Sequence, residues 1–322
     1  GQTGSGETNG TMAQGAGRMK KLTDVFAKLG TVEVDRPLAS MTTLHIGGEA
    51  AYVVYPDSML ALEALLAILQ TERIPFKVIG NGSNLLCSDA RFDGVIIHLK
   101  NFSASFFLGC DLIAEAGCSI IALSYKAMEQ GLSGLEFASG IPGTVGGTVY
   151  MNAGAYLSDM SAVLESVFVL RDGQFGWMKK EECGFSYRTS LFQAHPDWIV
   201  LAVRIRLSPS DKDEIRALMD SRRQRRMASQ PLNMPSAGSV FRNPTDHQAW
   251  KLIDGIGYRG HRIGGAMVSE KHGNFIVNAD KSISLSDKFM VTEDVADDII
   301  KTSSFTGKRV AEDALVIFYE RK

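Results

Sequence analysis

The segment that most constrains this chain is glycine-rich yet apolar: GIPGTVGGTVYMNAGAY, at residues 140–156. Its five glycines leave the backbone bare, whereas a flexible linker would be rich in serine and exposed to water. A core helix is also disfavoured, because each glycine inside a helix costs about 1 kcal/mol relative to alanine. The segment therefore predicts a buried main chain that another group approaches closely.

A second glycine-rich segment, GNGSNLL at residues 80–86, follows a predicted strand. Consecutive backbone N–H groups without side-chain bulk form a nest that binds phosphate oxygens, and Ser83 and Asn84 add further donors. No Gly-Lys-Ser/Thr sequence follows and no GxGxxG pattern opens a helix, so the segment is neither a P-loop nor a Rossmann fingerprint. Taken alone, it is equally consistent with a plain turn.

Together, the two segments predict a site for a long ligand with a diphosphate at one end and a polar ring at the other. A dinucleotide fits this description. Asn152 carries both a donor and an acceptor with which it could recognise a flat heterocycle. The alternative is a pair of tightly packed glycine-rich turns without a ligand.

The secondary-structure signals predict an α+β chain in three parts. Strands are expected at residues 50–56, 76–80, 94–99, 112–117, 162–173 and 197–207. Helices are expected at 58–73, 119–130 and 211–228, followed by a mixture of short helices and strands. Asp57 or Ser58 is predicted to cap the first helix and Ser119 the second, whereas Ser210 and Asp213 form a capping-box pattern for the third.

The predicted boundaries follow changes in composition along the chain. Residues 1–18 lack the apolar core of a signal peptide and are expected to be a disordered leader or an expression remnant. The remaining parts are 19–100, 101–228 and 229–322, with the last strand either in the third part or returning to the first.

Two polar motifs lie in apolar surroundings. FSYRTSLF, at 185–192, holds Tyr187 and Arg188, and a buried arginine needs an anion because an unpaired buried charge costs several kcal/mol. That anion is either a ligand or an internal carboxylate. PSAGSVFRNP, at 235–244, holds Ser239 after two small residues that would expose its hydroxyl. The flanking residues do not match GxSxG, so a hydrolase nucleophile is disfavoured against a plain turn residue.

The composition excludes several classes of protein. A formal net charge of −2 gives no general attraction to nucleic acid or to a membrane, and no apolar run approaches the ~20 residues that span a bilayer. The four cysteines form no CxxC pair, which is typical of reduced thiols in a cytoplasmic protein. The six histidines show no metal-ligand spacing, so no metal site is expected. The basic run at 222–226 is either a solvated helix face or a contact for phosphates.

Five motifs in order, VIGNGSNLL, ASGIPGTVGGTVYMNAGAY, YRTSLF, PSAGSVFRNP and RIGGAMVSEKHGNFIVN, resemble the shorter form of the UDP-N-acetylenolpyruvoylglucosamine reductase family. The resemblance implies a two-subdomain FAD-binding module of the vanillyl-alcohol-oxidase (PCMH) type and a third α+β domain that binds substrate. It also implies non-covalent FAD, NADPH as the reductant, and reduction of a UDP-sugar enolpyruvyl ether in bacterial peptidoglycan synthesis. The implied enzyme is cytoplasmic and monomeric.

The resemblance also assigns roles to particular residues. Arg188 would steady the substrate carboxylate, and Ser239 would protonate C2 of the enolpyruvyl group. The other substrate contacts would be Tyr187, Arg226 and Asn243. The residues implied to bind FAD are Gly80, Asn81, Gly82, Ser83, Asn84, Leu85, Gly140, Ile141, Pro142, Gly143, Thr144, Gly146, Gly147 and Asn152.

The end of the chain departs from the family pattern. The family usually ends in a Glu-Val-Arg strand whose glutamate is the third catalytic residue, whereas here residues 308–322 read KRVAEDALVIFYERK. Asp313 matches the glutamate position and Glu312 precedes it, but neighbouring strand residues face opposite sides, so only one can reach the site. Two alternatives follow: another FAD oxidoreductase on the same scaffold, or a catalytically silent nucleotide-binding paralogue.

Overall fold

The computed structural model describes residues 8–280 and 315–316. These residues form the α-helices α1 (Thr8–Ala27), α2 (Met59–Thr71), α3 (Ile120–Glu129), α4 (Val145–Tyr150), α5 (Lys212–Ser229) and α6 (Ala249–Gly255). Their strands are β1 (Gly30–Pro37), β2 (Glu49–Pro56), β3 (Phe76–Ile79), β4 (Leu85–Leu86), β5 (Phe92–His98), β6 (Ser105–Leu108), β7 (Asp111–Glu115), β8 (Leu132–Ser133), β9 (Gly154–Ala155), β10 (Ser158–Asp159), β11 (Leu164–Arg171), β12 (Gln174–Lys179), β13 (Ile199–Arg206), β14 (Ser208–Pro209), β15 (Ser236–Ser239), β16 (Arg262–Ile263), β17 (Ala266–Val268), β18 (Phe275–Asn278) and β19 (Leu315–Val316). Short 3-10 helices span Leu38–Met41, Glu136–Ala138, Met160–Ala162, Lys180–Glu182 and Leu191–Gln193.

The first sheet has the strand order β1-β2-β5-β3. β1 runs antiparallel to β2, whereas β2 and β3 both run parallel to β5, so β2, α2 and β3 form the expected strand–helix–strand unit. Ser58 caps α2 by accepting a hydrogen bond from the N–H of Ala61 at 3.1 Å. The apolar face of α2 is buried as predicted, and each buried leucine contributes about 1.5–3 kcal/mol. These leucines are Leu62, Leu65, Leu66 and Leu69.

The second sheet is antiparallel throughout, with the strand order β12-β11-β13-β7-β6, and the side chains of α3 and α4 share its main core. Ser119 caps α3 as predicted. The predicted capping box of Ser210 and Asp213 is wrong, because α5 begins one residue later than that pattern requires. Asp211 is the N-cap instead, and its carboxylate accepts a hydrogen bond from the N–H of Glu214 at 2.9 Å.

Helix α1 begins at Thr8, inside the segment for which the sequence predicted a disordered leader. The helix is anchored near its end by Phe26, which is fully buried and meets the ring of Tyr52 edge-on at 5.2 Å between centroids. Once a helix is anchored, each further residue adds a backbone hydrogen bond without a new nucleation cost. Extension of α1 towards the N-terminus follows from that cooperativity.

The third sheet has the strand order β15-β18-β17-β16, and α6 packs on it. Its core also includes Leu44, Ile46 and Leu86 from the first part of the chain, so the third part shares its interior with the first. β19 runs parallel to β4, which places the described end of the chain beside the first part. Within the described residues, none of the helices combines the length and apolar character that crossing a membrane requires.

Candidate functional site

A cavity of about 970 Å³ is lined by residues from all three parts of the chain. Its volume lies at the upper end of the ~300–1,000 Å³ typical of small-molecule sites. The predicted site residues that line it are Gly80, Asn81, Gly82, Ser83, Asn84, Leu85, Ile141, Pro142, Gly143, Thr144, Gly146, Gly147, Tyr187, Arg188, Arg226, Ser239 and Asn243. We call residues 80–85 and 141–147 the backbone wall. The side-chain wall is Tyr187, Arg188, Arg226, Ser239 and Asn243.

The first half of the backbone wall presents main-chain donors to the cavity. The N–H groups of Asn81, Gly82 and Ser83 donate no hydrogen bond to any other described residue. Gly82 has φ +65°, and a Cβ there would lie 2.1 Å from the carbonyl oxygen of Met41. Glycine is therefore required at this turn, and the turn leaves a nest of N–H groups that suits a phosphate group.

The second half of the backbone wall contains a short helix, α4, where the glycine content argued against a core helix. Thr144 caps it by accepting a hydrogen bond from the N–H of Gly147 at 3.2 Å. A Cβ on Gly146 would lie 3.2 Å from the Cβ of Ala116, so this glycine lets α4 pack closely on the second sheet. A Cβ on Gly147 would meet only the Thr144 hydroxyl, at 3.4 Å. Adjacent glycines thus serve different ends, since Gly146 permits packing and Gly147 leaves cavity space.

Gly140 does not line the cavity, although the sequence predicted it as a cofactor contact. A Cβ at this position would lie 2.6 Å from Nη1 and 3.1 Å from Cδ of Arg226. The glycine therefore makes room for an arginine of the side-chain wall. The predicted role of Gly140 is corrected from contacting the cofactor to admitting Arg226.

Asn152 also lies off the cavity wall, in contrast to the prediction that it faces the ring of the cofactor. Its side chain is buried, and Nδ2 donates to Oδ2 of Asp159 at 3.1 Å and to the carbonyl of Ser186 at 2.9 Å. Oδ1 accepts a hydrogen bond from the N–H of Ser161 at 3.0 Å. Because these internal contacts occupy the amide, Asn152 orders the loop that precedes Tyr187.

Arg188 lies in a tight turn with φ +52°, a backbone conformation that costs about 1–3 kcal/mol for a residue other than glycine. Its Nη2 donates to the carbonyl of Gly154 at 2.7 Å. The amide of Gln193 stabilises the turn, because Nε2 donates to the carbonyls of Arg188 at 3.1 Å and Tyr150 at 3.0 Å. Sequence reasoning missed Gln193, for which YRTSLF gives no signal beyond its position after the motif.

Ser239 ends β15 and lines the same cavity as Arg188. The preceding Gly238 has φ +78°, and a Cβ on it would meet no atom within 4 Å. The segment after Ser239 reaches the arginine turn, since Nη2 of Arg242 donates to the carbonyl of Arg188 and the N–H of Asn243 donates to the hydroxyl of Tyr187, both at 3.3 Å. The structure therefore joins two motifs that are about 50 residues apart in the chain.

The electrostatics of the cavity favour an anionic ligand. The described residues that line it include Lys77, Arg188 and Arg226 but no aspartate or glutamate. Burial lowers the pKa of Arg226, yet arginine stays protonated in proteins, so a half-buried positive charge faces the cavity. Burial and the charge of Lys100 lower the pKa of His98, which keeps that side chain neutral near pH 7.

Other chemistry is not evident among the residues that can be described. Within residues 8–280 and 315–316, no group of three or more His, Cys, Asp or Glu side chains could hold a metal ion. Burial raises the pKa of the Cys87 thiol to about 12, so this thiol is not a reactive nucleophile. The predicted third catalytic residue, Asp313 or Glu312, lies outside the described residues.

Comparison with known proteins gives one consistent family. Residues 50–178 match the family model of an FAD binding domain, and residues 230–306 match that of the UDP-N-acetylenolpyruvoylglucosamine reductase C-terminal domain. The chain is 44% identical over 256 residues to UDP-N-acetylenolpyruvoylglucosamine reductase 1 of Bacillus thuringiensis, covering 79% of this chain and 85% of that protein. The enzyme of that name from Anoxybacillus flavithermus is 43% identical over 265 residues, covering 81% of this chain and 88% of its own.

A solved structure extends the match to three dimensions. The crystal structure of UDP-N-acetylenolpyruvylglucosamine reductase from Thermus caldophilus superposes with a TM-score of 0.74 at 34% identity, covering 89% of this chain and 98% of that one. The α+β fold and the FAD-binding module are therefore confirmed. This chain belongs to the UDP-N-acetylenolpyruvoylglucosamine reductase family.

Proposed function

We propose that this protein uses NADPH and FAD to reduce UDP-N-acetylglucosamine enolpyruvate to UDP-N-acetylmuramate, a step of peptidoglycan precursor synthesis. The observation that carries the proposal is the meeting of Arg188 and Ser239 in one cation-lined cavity beside a backbone wall. Reduction of an enolpyruvyl ether needs a fixed cation for the carboxylate and a proton donor for C2. Family membership supports the same reaction.

The residues present fit FAD. The backbone wall offers a nest of N–H groups at residues 81–83, to which no other described residue is hydrogen-bonded, for a diphosphate, and Gly147 leaves space beside it for a large flat group. FAD held by the backbone wall would supply the two-electron redox chemistry that links oxidation of NADPH to hydride addition at C3 of the enolpyruvyl double bond. The remaining tasks fall to the side chains of the protein.

Arg188 stabilises negative charge. Addition at C3 moves electrons towards C2 and the carboxylate, and a guanidinium next to that carboxylate lowers the energy of the enolate-like transition state. The bond from Arg188 to the carbonyl of Gly154 and the contacts of Gln193 fix the guanidinium before the substrate arrives. Such preorganisation avoids a reorganisation cost during the reaction.

Ser239 donates the proton to C2. A serine hydroxyl is a weak acid in water, but the enolate-like species is a strong base, so the transfer is feasible within the cavity. Placement on β15 gives this hydroxyl a defined position at the cavity wall. Arg226, Tyr187 and Asn243 contact the sugar nucleotide, with the half-buried guanidinium of Arg226 suited to a phosphate group.

Several finer assignments belong to this proposal. The third catalytic carboxylate is Asp313 or Glu312, as the motif position implies. We also propose that the enzyme is a monomer with three domains, divided near residues 100 and 228. A cytoplasmic location is proposed because its substrates are charged nucleotides and its cysteines suit reducing surroundings.

The test is a spectrum followed by two assays on the purified protein. A yellow flavin spectrum is expected, together with NADPH oxidation that depends on the enolpyruvyl substrate. A protein that does not take up FAD would refute the flavin assignment. Flavin reduction by NADPH without reoxidation by this substrate would favour another FAD oxidoreductase, whereas FAD or UDP-sugar binding without any turnover would favour a silent paralogue.

A further inference from the structure

Asn274 carries a buried side-chain amide that pairs with both main-chain groups of one residue in the segment after Ser239. Its Oδ1 accepts a hydrogen bond from the N–H of Phe241 at 2.8 Å, and its Nδ2 donates to the carbonyl of Phe241 at 2.9 Å. The main-chain carbonyl of Asn274 also accepts a hydrogen bond from the N–H of Val240 at 2.9 Å. Three hydrogen bonds therefore hold the two residues that follow Ser239.

These bonds act where the strand pairing stops. β15 and β18 are paired at Ser236 with Val277 and at Ser239 with Phe275, and the register shifts between the two pairs. Phe241 is buried beyond the last pair, and among the described residues the amide of Asn274 is the partner of both its N–H and its carbonyl. An unpaired buried main-chain group is destabilising, and the chain would relieve that cost by moving the segment.

The main chain of Asn274 is itself held in place by a neighbouring side chain. Its N–H donates to Nδ1 of His272 at 3.1 Å. Both residues line the cavity, as does Ser239. The amide is consequently a rigid link between β18 and the strand that presents the hydroxyl.

We propose that Asn274 is a positioning residue, which keeps the Ser239 hydroxyl in reach of C2 by fixing the main chain of Phe241. The inference rests on the proposed function, in which Ser239 donates the proton. A displacement of about 1 Å in a reacting group can cost on the order of 10²-fold in rate. Loss of the Asn274 pairing should therefore slow the substrate step and leave reduction of the flavin by NADPH unchanged.

The main test is Asn274→Asp in the FAD-loaded protein, with both half-reactions followed by stopped-flow absorbance between pH 5 and pH 8. An ionised carboxylate cannot donate to the carbonyl of Phe241, so reoxidation by the enolpyruvyl substrate should be about 10²-fold slower than in the parent at pH 8. Burial raises the pKa of the introduced carboxyl group. Protonation at lower pH restores the donor, and the variant-to-parent rate ratio should then rise.

Asn278→Asp is the matched control. Asn278 is a buried asparagine at the other end of β18, the strand that Asn274 immediately precedes, and its Nδ2 donates to the carbonyl of Leu44 at 3.1 Å, outside the Ser239 segment. This variant should keep the parent ratio of reoxidation to reduction at every pH. Parent-like reoxidation in Asn274→Asp, a ratio that does not change with pH, or the same recovery in Asn278→Asp would each overturn the inference.

Hydrogen exchange gives a readout that does not depend on turnover. Asn274→Ala should lose protection at the amides of Val240 and Phe241, whereas Asn278→Ala should keep it; unchanged protection in Asn274→Ala would overturn the inference. Measurements on the parent protein distinguish a failure of the proposed function from a failure of the role of Asn274. If the parent is not reoxidised by the substrate, the proposed function fails; if it is, and Asn274→Asp behaves like it, only the role of Asn274 fails.

Discussion

The two walls of the cavity recognise their ligands by different means. The backbone wall works through main-chain N–H groups and through the absence of side chains at positions such as Gly147. The side-chain wall presents a few charged and polar groups, which half-buried amides such as Gln193 hold in place. A cofactor that stays bound needs only close contact, whereas the reacting atoms need groups at fixed positions. Changes in the backbone wall should therefore weaken FAD binding, whereas changes in the side-chain wall should slow the half-reaction with the substrate.

The largest effect is expected from removing the charge of the side-chain wall. Arg188→Met should slow reoxidation of the reduced flavin by about 10²–10³-fold, because the developing carboxylate charge loses its partner. Reduction by NADPH should remain at the parent rate in single-turnover measurements. Arg188→Lys keeps the charge but not the planar guanidinium, so its rate of reoxidation should lie between those of the parent and of Arg188→Met. Equal loss in both half-reactions would break the distinction between the walls.

The next effect separates two neighbouring glycines of the backbone wall. Gly147→Ala should weaken FAD binding by about tenfold, because its Cβ enters space that no protein backbone occupies. The cofactor-free protein should not be destabilised, since alanine is favoured over glycine in a helix by about 0.5–1 kcal/mol. Gly146→Ala should instead lower the melting temperature, because its Cβ presses on Ala116. FAD titration measures the affinity of each variant and thermal unfolding measures its stability. Unchanged FAD affinity in Gly147→Ala would contradict the placement of Gly147 beside the cofactor.

A smaller effect tests the glycine that serves the other wall. Gly140→Ala should push the guanidinium of Arg226 aside, since the new Cβ would lie 2.6 Å from Nη1. The KM for the UDP-sugar should rise about fivefold, equivalent to roughly 1 kcal/mol of lost binding, with FAD affinity unchanged. Weaker FAD binding with a normal KM would instead place Gly140 in the backbone wall, as the sequence first predicted.

The smallest effect concerns pH and His98, which also lines the cavity. Burial, then the charge of Lys100, lowers the pKa of this histidine in the folded protein, so the folded state binds fewer protons than the unfolded state between the two pKa values. The free energy of unfolding should therefore fall as the pH drops below about 6.5, the ordinary pKa of histidine, and level off below the folded pKa. Urea titrations of the parent and of His98→Gln at several pH values measure this dependence. The same fall in the free energy of unfolding in both proteins would exclude His98 as its cause.

The sequence brought the two segments of the backbone wall together in one predicted site, and both line one cavity, because the pattern of each segment is local. A glycine-rich turn after a strand and a bare apolar segment are visible in single stretches of chain, and their order resembled one family. The sequence could not say why glycine is needed at each of these positions. Gly140 faces an arginine 86 positions later and Gly146 faces Ala116, so the reasons lie in tertiary contacts.

The supports of the side-chain wall were mostly missed for the same reason. Asn274 contacts the main chain of Phe241, 33 residues earlier, and in the sequence it appeared only as part of a strand motif. Asn152 was predicted to face the cofactor because an exposed amide and a buried one look alike in sequence. Its partners, at Asp159, Ser161 and Ser186, became apparent only with the fold.

The most direct test of the division of labour between the walls is Ser239→Ala, studied by single-turnover absorbance at the flavin band. NADPH should reduce the bound flavin at the parent rate. Addition of the enolpyruvyl substrate should then give reoxidation slower by about 10²–10⁴-fold, the usual contribution of a positioned proton donor. Reoxidation at the parent rate would contradict Ser239 as the proton donor and, with it, the assignment of the substrate step to the side-chain wall.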